Sequence, residues 1–93
     1  MLAEIFLICF LKTDMEHVLE LARVRDFQTA VNMHNADKDP TKKCQPGRGV
    51  IKSITLLDGA YPIESGQVVR IFEIVGGERT VYTVGVDLDQ IGL

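Results

Sequence analysis

Residues 4–11, Glu-Ile-Phe-Leu-Ile-Cys-Phe-Leu, are apolar after the first position and do not alternate. Periodicity alone does not separate a buried strand from a buried helix in so short a run. Its Ile and Phe content predicts a strand covered on both faces, with a short helix as the alternative. Thr13-Asp14-Met15-Glu16 then matches a capping box, in which the Thr13 hydroxyl and the Glu16 carboxylate satisfy each other's backbone amides. Met15, Val18, Leu19 and Ala22 follow at i, i+3, i+4 and i+7, the stripe of an amphipathic helix. Asp14 and Glu16 suit its N-terminus, and Arg23 and Arg25 its C-terminus. The pattern predicts one main α-helix over residues 14–25.

Phe27, Thr29, Val31 and Met33 alternate with Gln28, Ala30, Asn32 and His34, which predicts a half-buried strand. Residues 35–48 hold two prolines and almost nothing apolar, and read as a long flexible loop. Val50 to Leu57 reads as a strand ended by Asp58-Gly59, and a loop containing Pro62 runs on to Gly66. Val68 to Val75 and Thr80 to Val86 flank Gly76-Gly77 and form the clearest hairpin, with the glycine pair expected to supply positive φ angles. Gly85 suggests a bulge or a close backbone approach. Leu88, Ile91 and Leu93 in the tail from Asp87 imply that it docks on something.

The chain of 93 residues thus reads as a single α+β domain over 1–93: an antiparallel sheet of about five strands, barrel-like in one variant, with one main helix. Val and Ile together number 18 against 9 Leu and 5 Ala, which favours strand over helix.

Both faces of the strands are apolar. In 68–75, Val68, Phe72 and Ile74 share one face with Arg70, while Val69, Ile71 and Val75 share the other with Glu73. One helix covers one face of such a sheet. Each large apolar side chain left in water forfeits roughly 1.5–3 kcal/mol, a large part of a total stability of about 5–15 kcal/mol. Either the sheet curls toward a barrel or a second chain covers it. The commonest second chain is another copy on a two-fold axis, so a homodimer is expected.

Composition narrows the function classes. The apolar share is 46 % and the charged share 25 %, with a net charge of −3, as in an ordinary soluble globular domain. No apolar run reaches the ~18 residues of a membrane helix. The first residues lack the basic start and small-residue cleavage site of a signal peptide, so no membrane partner and a cytoplasmic location are expected. Cys9 lies in an apolar run and Cys44 in a polar stretch, without metal-binding spacing. They read as a buried small hydrophobe and an exposed loop thiol, the latter with its thiolate favoured by Lys42, Lys43 and Arg48.

Charge is uneven. Residues 37–52 carry five cations against two carboxylates, and the rest of the chain is acidic. Lys42, Lys43, Arg48 and Lys52 are therefore candidate ligands for an anion or a nucleic-acid backbone, with Pro46-Gly47-Arg48-Gly49 as an amide nest. No aromatic residue interleaves them to stack bases. Tyr61, beside Pro62, is a candidate pocket rim. His17, near Asp14 and Glu20, and His34, near Asp37 and Asp39, are the candidate proton carriers. His34 with the two aspartates also offers the donor types of a divalent-ion site. The reading adopted has neither metal nor cofactor. It is a non-catalytic binding or assembly protein acting as a homodimer, with a small molecule, a protein or nucleic acid as candidate further partner. An anion or nucleic-acid binder and a small enzyme with a histidine acid or base are the alternatives.

Overall fold

The computed structural model describes residues 2–86, so the tail from Asp87, expected to dock, lies outside the described residues. The chain forms β1 (Leu2–Ile8), α1 (Lys12–Leu21), α2 (Phe27–Asn35), a 3₁₀ turn (Pro40–Lys42), β2 (Gln45–Val50), β3 (Ser53–Leu56), β4 (Tyr61–Pro62), β5 (Val68–Val75) and β6 (Thr80–Gly85). The fold is α+β, with two helices and two antiparallel sheets, one of two strands and one of four. No closed barrel forms among the described residues.

The apolar run at the start is a strand, and a bulge explains its lack of alternation. β1 pairs with β2 as Ile5 to Gly47 and Ile8 to Gln45, so two residues of β1 oppose one of β2. Ile5 and Ile8 thereby face one side, while Leu7 and Cys9 face the other. Gly47 permits the close approach of Ile8, because a Cβ there would meet the Ile8 side chain at 2.8 Å.

Helix α1 carries the expected stripe, with Met15, Val18, Leu19 and Ala22 all buried. Its ends differ from the reading of 14–25. The N-cap is Leu11, whose carbonyl accepts from the amides of Asp14 and Met15, and Thr13 lies inside the first turn rather than capping it. At the other end the Ala22 carbonyl accepts from the amide of Glu64, a tertiary bond to an orphan helix-end group.

Residues 27–34 are helix, not strand. Asp26 caps α2, its carboxylate accepting from the Thr29 amide at 3.0 Å and the Thr29 hydroxyl at 2.6 Å. The inward stripe is Phe27, Ala30, Val31 and His34, at i, i+3, i+4 and i+7. Thr29 and Met33, which completed the alternating pattern, face solvent.

The expected loop 35–48 is shorter. Its last residues form β2, despite Pro46, because β2 is an edge strand and Pro is tolerated there. Asn35 ties the two ends of the remaining turn, donating to the Cys44 carbonyl at 2.7 Å and accepting from the Cys44 amide at 2.9 Å. The two cysteines are not separate thiols. Cys9 and Cys44 form a disulfide, and Cys44 is buried rather than exposed. The cause is register: Ile8 opposite Gln45 places the next residues, Cys9 and Cys44, face to face with Cα atoms 4.3 Å apart.

Strand β5 is central in the larger sheet. β6 runs along one edge, β3 pairs with its C-terminal half, and β4 pairs with Val68 and Val69. The β5–β6 connection is a four-residue turn closed by the Gly76 amide on the Arg79 carbonyl. Positive φ among the described glycines occurs at Gly59 and Gly66, not at the Gly76-Gly77 pair. The register runs without a shift to Gly85, so of the bulge or close backbone approach expected there the bulge is absent from the described ladder. Among the described residues one isolated bridge joins the sheets: Cys9 and Tyr82 exchange both backbone hydrogen bonds at 2.8 Å. The Thr83 hydroxyl adds a buried bond to the Leu7 carbonyl at 2.7 Å.

Two cores result. The main one packs α1 and α2 against Leu7, Cys9, Val69, Ile71 and Val84. The smaller one lies on the opposite face, where Ile5, Ile8 and Ile74 gather with Phe10, Ile51, Ile54 and Val81 at its border. The second face is therefore partly covered by the chain's own bend, and the first by two helices rather than one.

Candidate functional site

Around the smaller core the sheets leave a groove of about 390 Å³. The β1 bulge turns Ile5, Ile8 and Phe10 toward it, β5 contributes Ile74, β6 contributes Val81, and the link from β2 to β3 contributes Ile51. The β5–β6 turn supplies Glu78 and Arg79, and β2 supplies Arg48. The Arg79 guanidinium lies 5.0 Å above the centre of the Phe10 ring, a cation–π contact that anchors it at the rim. Arg48 stands 3.8 Å from the Glu4 carboxylate, and both side chains are largely in water, so the pair holds Arg48 only weakly. Glycines at 47, 49, 76 and 77 keep the walls low. The lining has an apolar floor, two guanidiniums and the Glu78 carboxylate.

The basic residues read from the sequence do not converge. Lys42 lines a concavity with Asp14, Asp37, Lys38 and Asp39. Lys43 lines a separate groove between α2 and β1, where the rings of Phe6 and Phe27 meet at 6.2 Å. Arg48 belongs to the groove of the smaller core. Lys52 is exposed between β2 and β3, its amide donating to the Val75 carbonyl. Tyr61 is half-buried against the main core, its ring beside Gly59.

The two histidines do converge. Nδ1 of His17, on α1, lies 2.6 Å from Nδ1 of His34, on α2. Nε2 of His34 faces the Asp14 carboxylate at 3.6 Å, too long for a hydrogen bond, and has no other partner. His34 is buried, Asp14 half-buried and His17 exposed. Burial pushes the His34 pKa down, Lys38 and His17 push the same way, and only Asp14 opposes them. Among the described residues no group of three or more His, Cys, Asp or Glu is placed to hold a metal ion.

Comparison with protein-family models, curated proteins and solved structures finds no match.

Three participants escape a sequence reading. Phe10 and Arg79 are 69 positions apart and meet only through the Cys9–Tyr82 bridge. Asp14 suits a helix terminus and neighbours His17 in the sequence, but its approach to His34 depends on α2 being a helix.

Proposed function

We propose that this protein is a small non-catalytic binding module, and that the groove of the smaller core takes a small amphipathic anion. The observation that carries this reading is Arg79, stacked on Phe10 at the edge of an otherwise apolar floor. Ile5, Ile8, Ile74 and Val81 would hold an alkyl or aryl body, and Arg79 and Arg48 its carboxylate or sulfonate. The spread of Lys42, Lys43 and Arg48 over three concavities favours a single small anion over a nucleic-acid backbone.

Anilinonaphthalene sulfonate tests this reading directly. Its fluorescence should rise saturably with the native protein and be reversed by decanoate. Arg79→Ala should weaken the probe by about tenfold, the loss of one charge-assisted contact. A linear, unsaturated signal, or equal affinity in an Arg48→Ala, Arg79→Ala double variant, overturns it.

A second reading keeps the homodimer. Val50, Leu56 and Val68 are 52, 51 and 49 % exposed. Leu56 stands opposite Phe72 and Val68 shares its strand face, on the side away from the helices. That apolar surface supports a second copy as cover. Sedimentation of the same samples at micromolar concentration should give twice the single-chain mass; a single-chain mass removes this reading and leaves the groove.

The disulfide supports an oxidising compartment in place of the cytoplasm expected from the sequence. No helix of the described residues is long and apolar enough to cross a membrane.

A further inference from the structure

The histidine pair lies outside the groove, and its geometry restricts how many protons it holds. Two Nδ1 atoms 2.6 Å apart require one proton between them: one ring donates and the other accepts. The buried Nε2 of His34 decides which. Facing the half-buried Asp14 carboxylate at 3.6 Å, it is the nitrogen that favours the hydrogen, because a lone pair there would point at the negative charge. A neutral His34 with its proton on Nε2 has a lone pair on Nδ1, so His17 is the donor through its own Nδ1–H. His17 then presents the lone pair of Nε2 outward from an exposed side chain.

We propose that His17 and His34 form a one-proton latch between α1 and α2. The bridge holds one proton between the two Nδ1 atoms. A second proton in the bridge has only Nδ1 of His34 to go to, and placing it there sets two N–H donors against each other and opens the bridge. The groups facing His34 agree with a neutral ring. Asp14 and His17 approach from α1 and Lys38 from the turn after α2, and of these Asp14 alone favours a charged ring. The latch sits on the helical layer that seals the main core, where Met15, Val18 and Leu19 of α1 and Ala30 of α2 are fully buried. Acid that forces the second proton on would loosen that layer and leave the groove on the far face with its own walls.

Nitrogen-15 imidazole spectroscopy of the uniformly labelled protein, in EDTA to exclude bridging metal, reads the tautomers and the protonation of both rings. At neutral pH the expected pattern is His34 with hydrogen on Nε2 and His17 with hydrogen on Nδ1. As the pH is lowered, His34 should stay neutral for as long as the native amide spectrum persists. The His34 imidazolium should appear only together with loss of the native amide signals of α1 and α2. His34 with hydrogen on Nδ1, or both rings charged within a native spectrum, overturns the latch. His17→Ala removes an exposed ring and frees Nδ1 of His34. The His34 midpoint should then move to higher pH within the native fold, and an unchanged midpoint likewise overturns it.

Discussion

Asp26 stands one residue outside α2, and its carboxylate takes both the amide and the hydroxyl of Thr29. The Thr29 hydroxyl and then its amide hold the Asp26 carboxyl below its ordinary value of 3.8. Because the folded pKa is the lower one, the stabilisation is complete above the unfolded value and is lost as the pH falls through the folded one. Asp26→Ala should therefore lower the melting temperature at pH 7, and the difference between the two proteins should shrink as the pH falls through the lowered Asp26 pKa; thermal melts over a descending pH series check it. This one residue also explains why 27–34 is helix although its pattern alternates. Phe27, Thr29, Val31 and Met33 alternate as a strand does, while Phe27, Ala30, Val31 and His34 recur as a helix does. Asp26 followed by Thr29 is the local signal that favours the second pattern, and the small Ala30 made the helical stripe easy to overlook. With His34 on a helix, its pairing with His17 across two helices was out of reach of a reading that placed it at a strand end.

At the scale of elements, β1 was legible as a strand but its faces were not. A one-residue bulge between Ile5 and Ile8 changes which side chains share a side, and bulges leave no mark in an all-apolar run. The same register brings Cys9 opposite Cys44. Two cysteines 35 positions apart give no sign of pairing until β2 is known to begin at Gln45, and Pro46 with two glycines argues locally against a strand there. The disulfide closes a loop containing both helices, so a Cys9→Ala, Cys44→Ala double variant should lose about 2–4 kcal/mol of unfolding free energy in urea. Alkylation of the native protein should find no free thiol; modification of both cysteines without unfolding would contradict the assigned pairing. The β5–β6 hairpin was the most legible part, because strong β-branched runs flank a glycine turn. Its turn type was not, since a four-residue connection needs no positive φ at Gly76 or Gly77.

For the whole molecule, the excess of apolar sheet surface was readable from the sequence, and its destination was not. α2 adds a second helix to one face, and the bend from β2 through β3 folds the other face onto Ile5, Ile8 and Ile74. Part of what stays uncovered is a groove with an apolar floor and Arg48, Glu78 and Arg79 at its edge, and part is the exposed surface of Val50, Leu56 and Val68. Arg48 was singled out in the sequence for its charge. Arg79 carries no such signal in a hairpin turn, because its partner Phe10 comes from the other end of the chain.

Methyl-resolved nuclear magnetic resonance with isotopically labelled isoleucine locates a bound amphipathic anion most directly. Titration with decanoate should move the methyl signals of Ile5, Ile8 and Ile74 together, saturably and at one common affinity, and leave Ile63 beside the main core unmoved. Decanoate that shifts no isoleucine of the smaller core, or that shifts Ile63 equally, would contradict the assignment of this groove as the binding site.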